Sequence, residues 1–161
     1  MPERRHHYVS QLVWTGNRGA GTSAYAAYDR AHEVKVAGKP ALSMSSDPTF
    51  RGDATRHNPE ELLVASLSSC HMLWYLHLAA EQGVVVTSYE DRAEGVMREQ
   101  ADGAGAFEQV TLRPRMHLDP GADAKLALSL HSLAHAKCFI ARSVNFPVLC
   151  EASVAGGDES F

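Results

Sequence analysis

The chain reads as an α+β protein with mainly antiparallel sheet, on three observations. Residues 58–83 carry the pattern and both end signals of one long helix. Alternating stretches rich in Val, Leu, Tyr and Trp stand before and after it, separated by turn residues. A second, shorter helical stretch falls late, between the last two strands. Runs of strands parted by two helices, rather than regular strand–helix alternation, argue against a parallel doubly wound sheet. At 161 residues, 45% hydrophobic and 21% charged, the chain has the size and composition of one soluble domain over 1–161.

Taken in order, Tyr8 to Thr15 is strand-like, Gly16 to Gly21 forms a glycine-rich turn, and Thr22 to Tyr28 is expected to return as a second strand. The turn lacks the Gly-Lys-Ser/Thr ending and following helix of a phosphate loop, and its one cation is Arg18. Glu33 to Val36 makes a short strand. Ala41 to His57 has no periodicity, and a loop that long inside a compact domain is functional or mobile. Asn58 as N-cap, Pro59 at the first helical position and Glu61 at the third then open the long helix. Gly83 closes it with a left-handed cap. Pro59 to Gln82 spans about 36 Å. Leu63, Leu67, Cys70, Trp74 and Leu78 form one apolar stripe, beside Leu62, Leu73, Leu76 and Ala80. So wide a surface belongs to a helix covered on more than one side, and a homodimer that buries two copies is the natural solution. Ser66, Ser68, Ser69, His71 and His77 interrupt it, which argues against a membrane span.

Val84 to Met97 reads as a strand and Phe107 to Leu118 as another. In the latter Val110, Leu112, Met116 and Leu118 face one way and Thr111, Arg113, Arg115 and His117 the other. Asp119 and Pro120 signal a helix from about Ala122 to Lys137, with Leu126, Leu130, Leu133 and Ala134 inward and Cys138 at its end. Ser143 to Val154 is the last strand, placed at an edge or bulge by Pro147.

Fifteen Lys and Arg against nineteen Asp and Glu leave a net charge of −4, so no basic field exists to collect nucleic acid or an anionic membrane. Met1 to His7 has no apolar core of a secretion signal, and three cysteines make no disulfide framework, so a reducing cytoplasm is expected. There, Cys70 in the long helix and Cys138 at the end of the second are placed to meet across a core. Cys150 alternates with core residues and reads as packing. A reactive thiol needs a thiolate, and Cys70 lies too deep in its helix for the dipole to help. A cation must serve, with Arg18 the best candidate and Arg51 and Arg56 as competitors. Cys70, His71, His77, His135 and Cys138, with His131 and His135 at i, i+4 spacing, suggest zinc only weakly. No Cys-x-x-Cys accompanies them, so no metal site is expected. No nucleophile-elbow pattern is present for a hydrolase.

Asn58-Pro59-Glu60-Glu61-Leu62 followed by Cys70, a second cysteine ending the later helix, and Trp14-Thr15-Gly16 with Arg18 and Gly21-Thr22 together resemble the OsmC/Ohr family of bacterial peroxide-reducing proteins. The resemblance covers nearly the whole chain. It implies an OsmC-like fold in an intertwined homodimer, the two long helices at its middle. It implies a thiol-dependent peroxidase for organic hydroperoxides, in defence against oxidative stress. Cys70 would be peroxidatic and Cys138 resolving, Arg18 would hold the thiolate and Glu60 would hold Arg18. It implies no bound cofactor, the disulfide being reduced by an external dithiol such as a lipoylated protein. A redox-sensing or ligand-binding dimer without turnover is the alternative. Ten residues of straight helix separate Glu60 from Cys70 by about 15 Å, so Arg18 bridges them, the helix breaks near Ser66 to Ser69, or the contact crosses a dimer. The chain departs from the family's Cys-Pro-x-Ser at Cys138-Phe139-Ile140-Ala141-Arg142, and has His71 where Phe is usual after Cys70. Without the proline, Cys138 is expected to remain helical and to resolve slowly.

Overall fold

In the computed structural model, residues 3–155 are described. The chain has two compact units, Met1–Leu62 and Leu63–Phe161, each described by itself.

The first unit holds an antiparallel sheet of β1 (Gln11–Trp14), β2 (His32–Lys35) and β3 (Leu42–Met44), with β2 central. Thr22 to Tyr28 is not the expected strand but a series of turns. Its backbone carbonyls are taken by arginines instead of a neighbouring strand. Arg30 donates to the Tyr28 and Tyr25 carbonyls at 2.6 and 2.8 Å, and Arg18 donates to the Ala26 carbonyl. The turns are closed back on the sheet by Asp29 N–H to the Gly16 carbonyl at 2.8 Å. A side chain at Gly16 would place its Cβ 1.9 Å from the Asp29 oxygen, so only glycine fits that closure. The loop after β2 contributes β3, paired antiparallel with it, and a 3-10 turn over Pro48–Phe50. Asp47 caps that turn by accepting from Thr49 N–H at 2.7 Å.

Helix α1 (Pro59–Glu81) opens with the expected reciprocal box. Glu61 N–H donates to Asn58 Oδ1 at 2.8 Å, and Asn58 N–H donates to Glu61 Oε2 at 3.2 Å. The helix is continuous through 66–69, so no break there shortens the path from Glu60 to Cys70. Gly83, at φ 70°, ends it.

The second unit contains two three-stranded sheets made by the same passes of chain. The stretch read as one strand from Val84 is two, β4 (Val86–Asp91) and β5 (Glu94–Glu99). The next pass is β6 (Gly105–Leu112) and β7 (Pro114–Leu118). Helix α2 (Ala124–Lys137) follows, capped by Asp123 rather than Asp119, with Asp123 Oδ1 accepting from the N–H groups of Lys125 and Leu126. The final pass is β8 (Val148–Cys150) and β9 (Ser153–Val154). One sheet has the order β4-β7-β9 and the other β5-β6-β8. β4 and β5 pair antiparallel with their central strands, β8 and β9 parallel. The last strand is an edge in both sheets, as Pro147 requires.

Two clusters fill this unit. Tyr75, Leu78, Ala79, Val84, Met116, Ala127, Leu130 and Ala134 join α1, α2 and the first sheet. Leu67, Val110 and Leu112 are the centre of the second, against β5-β6-β8. The buried stripe of α1 is therefore Leu67, His71, Tyr75 and Leu78–Ala79, with a histidine and a tyrosine in it, while Leu73 stays exposed.

Candidate active site

Cys70 projects half-buried from the middle of α1, and Cys138 is 1% exposed at the end of α2. Both are free thiols. The Cys138 thiol is within hydrogen-bond reach of Cys70. One residue, Trp74, a turn beyond Cys70 on α1, fixes the end of α2. The Phe139 ring meets it edge-on at 5.6 Å, and the Lys137 ammonium lies 5.4 Å from its centroid. The residues on either side of Cys138 are thus held against the helix that carries Cys70.

Cys138 does not remain helical. Its backbone turns extended, at φ −65° and ψ 113°, and α2 ends at Lys137. Proline is unnecessary for this exit, because a new turn replaces the helix. Arg142 N–H donates to the Cys138 carbonyl at 3.1 Å, and Ala141 N–H donates to Cys138 Sγ at 3.4 Å. Ile140 and Ala141 then pack on the second core cluster. Burial pushes the Cys138 thiol up to about 11, partly opposed by the Ala141 N–H, and its hydrogen bond to Cys70 raises it further. Cys138 therefore keeps its proton at neutral pH, beside Cys70.

Arg18 lies on the turn after β1, exposed, 3.5 Å from the Asp29 carboxylate and hydrogen-bonded to the Ala26 carbonyl. Glu60, half-buried in the first turn of α1, lines a cavity of about 250 Å³ with Arg30, Trp14, Tyr28, Asp47 and Phe50. Arg30 is the better immobilised of the two arginines. Besides its two carbonyls it stacks on the Tyr25 and Tyr28 rings at 4.3 and 4.1 Å. Arg51 adopts φ 62°, capping the short 3-10 turn, and Arg56 pairs with Asp53. The sequence reading passed over Arg30 because nothing in its spacing marks it. Only the turns of 21–28, closing on both sides of its guanidinium, single it out.

His71 and His131, which the sequence groups with other residues as weak zinc candidates, form with Cys150 the polar heart of the second unit. His71 Nε2 lies 2.9 Å from His131 Nδ1, with Cys150 Sγ 3.7 and 3.8 Å from the two nitrogens. Cys150, read as packing, does pack on the second cluster, but it does so facing two buried imidazoles.

Residues 52–153 match the family model described as OsmC-like protein. Among solved structures, an OsmC-like protein of unknown function from Vibrio cholerae superposes with a TM-score of 0.83 at 30% identity. That match covers 92% of this chain and all of the other. The uncharacterized protein YmaD of Bacillus subtilis is 25% identical over 96% of this chain and 98% of its own. The organic hydroperoxide resistance protein OhrB of Bacillus subtilis shares the fold, with a TM-score of 0.64 at 20% identity over 91% of this chain and 98% of its own.

Proposed function

The chain belongs to the OsmC-like family, and from that premise we propose that it is a thiol-dependent peroxidase acting on organic hydroperoxides in the cytoplasm. The observation that carries the reading is the meeting of Cys70 and Cys138, two free thiols from different helices, one buried and protonated beside the other. The Cys70 thiolate attacks the distal oxygen of the hydroperoxide. The O–O bond breaks, the alkoxide leaves and takes a proton to become the alcohol, and Cys70 becomes a sulfenic acid. Cys138, as thiolate, then attacks the Cys70 sulfur. Hydroxide leaves as water and a Cys70–Cys138 disulfide remains. A dithiol of the lipoyl type reduces it by two exchanges and is itself oxidised.

Arg18 is proposed as the cation that stabilises the Cys70 thiolate, and Glu60 as the carboxylate that positions an arginine. The working unit is proposed as a homodimer with the α1 helices of two copies together. Leu73, 61% exposed on α1, is the kind of surface a second copy covers. An alkyl hydroperoxide is proposed as the substrate, the class that the name of OhrB, which shares the fold, carries.

The test is a steady-state assay with dihydrolipoamide as reductant, comparing an alkyl hydroperoxide with hydrogen peroxide. Dithiol-dependent turnover preferring the alkyl substrate is expected. No consumption of either peroxide would sink the proposal and favour a sensing or ligand-binding role.

A further inference from the structure

We propose that the second unit carries a metal centre distinct from the Cys70–Cys138 pair, in which His71 Nε2, His131 Nδ1 and Cys150 Sγ bind one zinc(II)-class cation. The three ligands come from α1, α2 and β8. Their separations of 2.9, 3.7 and 3.8 Å define a circle of about 2.0 Å radius, where zinc needs about 2.0–2.1 Å to imidazole nitrogen and 2.3 Å to thiolate. A cation just off that plane reaches all three. The sulfur already stands at tetrahedral spacing from both nitrogens. The two nitrogens must part by roughly half an ångström, because without a cation they share a proton in a hydrogen bond. The imidazole planes lie within 10° of each other, so the cation takes the place of that shared proton.

The surroundings favour a cation over a packed core. His71 and His131 are 1% and 5% exposed, and His71 Nδ1, His131 Nε2 and the Tyr75 hydroxyl have no hydrogen-bond partner among the described residues. A cation on the two facing nitrogens leaves those three groups as they are; what it accounts for is why two histidines stand in a core that apolar side chains would fill at less cost. Two imidazoles and one thiolate, their ligand atoms all within 4.8 Å of one another, supply three donors of the kind zinc takes. The His131 ring is oriented by stacking on Tyr75, centroids 4.0 Å apart. A nitrogen–nitrogen–sulfur set selects zinc or cobalt over magnesium or calcium. A cavity of about 500 Å³ touches His131, Cys150 and, one turn along α2, His135, leaving room for water or a small ligand at the fourth position.

The full chain has three cysteines, so Cys70→Ser with Cys138→Ser leaves Cys150 as the sole thiol. Titration of this variant with cobalt(II), anaerobically and under reducing conditions, should give one equivalent per chain with a thiolate-to-cobalt charge-transfer band that zinc abolishes. Adding Cys150→Ser should remove the band and weaken binding at least about tenfold, as should His131→Gln for affinity. Cobalt binding without the band, equal binding after Cys150→Ser, or no binding overturns the proposal. Zinc-edge absorption of the zinc-loaded wild-type chain needs no substitution. One sulfur and two nitrogen scatterers from the protein are expected, whereas two sulfurs, or no retained zinc, refutes the site.

Discussion

The buried Cys138 thiol, at the end of α2, keeps its proton beside Cys70 of α1. A structural cysteine has no need of that neighbour, whereas a nucleophile and its resolving partner do. Cys70→Ser should lower peroxide turnover at least about a thousandfold while leaving the thermal midpoint nearly unchanged, since the site is half-buried and the volumes are close. Cys138→Ser should keep the first turnover and lose dithiol-driven cycling. Stopped-flow with one equivalent of alkyl hydroperoxide separates the two, and full activity of Cys70→Ser would refute the assignment.

Resolution should depend steeply on pH. Burial, the largest cause of the high Cys138 value of about 11, persists once Cys70 is oxidised, so at pH 7 little thiolate is present to attack. The disulfide should therefore form about tenfold faster for each unit of pH between 7 and 9. Dimedone should trap the Cys70 sulfenic acid best at the low end. A rate flat across that range would mean that Cys138 ionises far more easily than its burial allows.

Arg18→Met should slow alkylation of Cys70 at neutral pH at least about fivefold and move the alkaline limb upward. Arg30→Met is the informative companion, because Arg30 rather than Arg18 shares a cavity with Glu60. If only the Arg30 variant shifts the profile, the thiolate-holding cation is Arg30.

In the metal-free chain, acid should destabilise the second unit before its carboxylates titrate fully. His131 falls to about 4 in the folded chain against an ordinary value near 6.5, and His71 is lowered too. Between those values the unfolded chain binds more protons, so stability is present in full above about pH 6.5 and is lost as pH falls toward 4. The slope approaches about 1.4 kcal/mol per pH unit for each excluded proton. Denaturant melts at pH 7, 6, 5 and 4 should show this decline, and His131→Gln should flatten it.

How far the sequence exposes this molecule depends on whether a residue's role is local. The box of Asn58 and Glu61 is local and stands as the spacing predicts. Cys70 sits inside the helix the end signals mark and Cys138 just past the end of the second, and the two are neighbours. Thr22 to Tyr28 misleads because arginines outside it claim its carbonyls, which no propensity encodes. The chain changes sheet at Arg113 while Val110, Leu112 and Met116 all stay buried, but Thr111, which the alternation puts on the opposite face, is buried as well. By sequence, His71 interrupts an apolar helix. It is a member of the buried stripe, legible only once α2 and β8 bring His131 and Cys150 against it.

Arg113 stands at the point where the chain crosses between the two sheets of the second unit. Its backbone N–H donates to Asp91 at the end of β4, and its guanidinium to Glu94 at the start of β5 and Glu151 between β8 and β9, at 3.0 and 2.9 Å. All three passes thus change sheet around one residue, and neither sheet owns a strand that the other does not continue. Such a weave leaves no sheet free to fray alone. Amide exchange from β6 and β7 should proceed through a single opening with one denaturant slope, and the unit should tolerate neither circular permutation at 113 nor excision of either sheet.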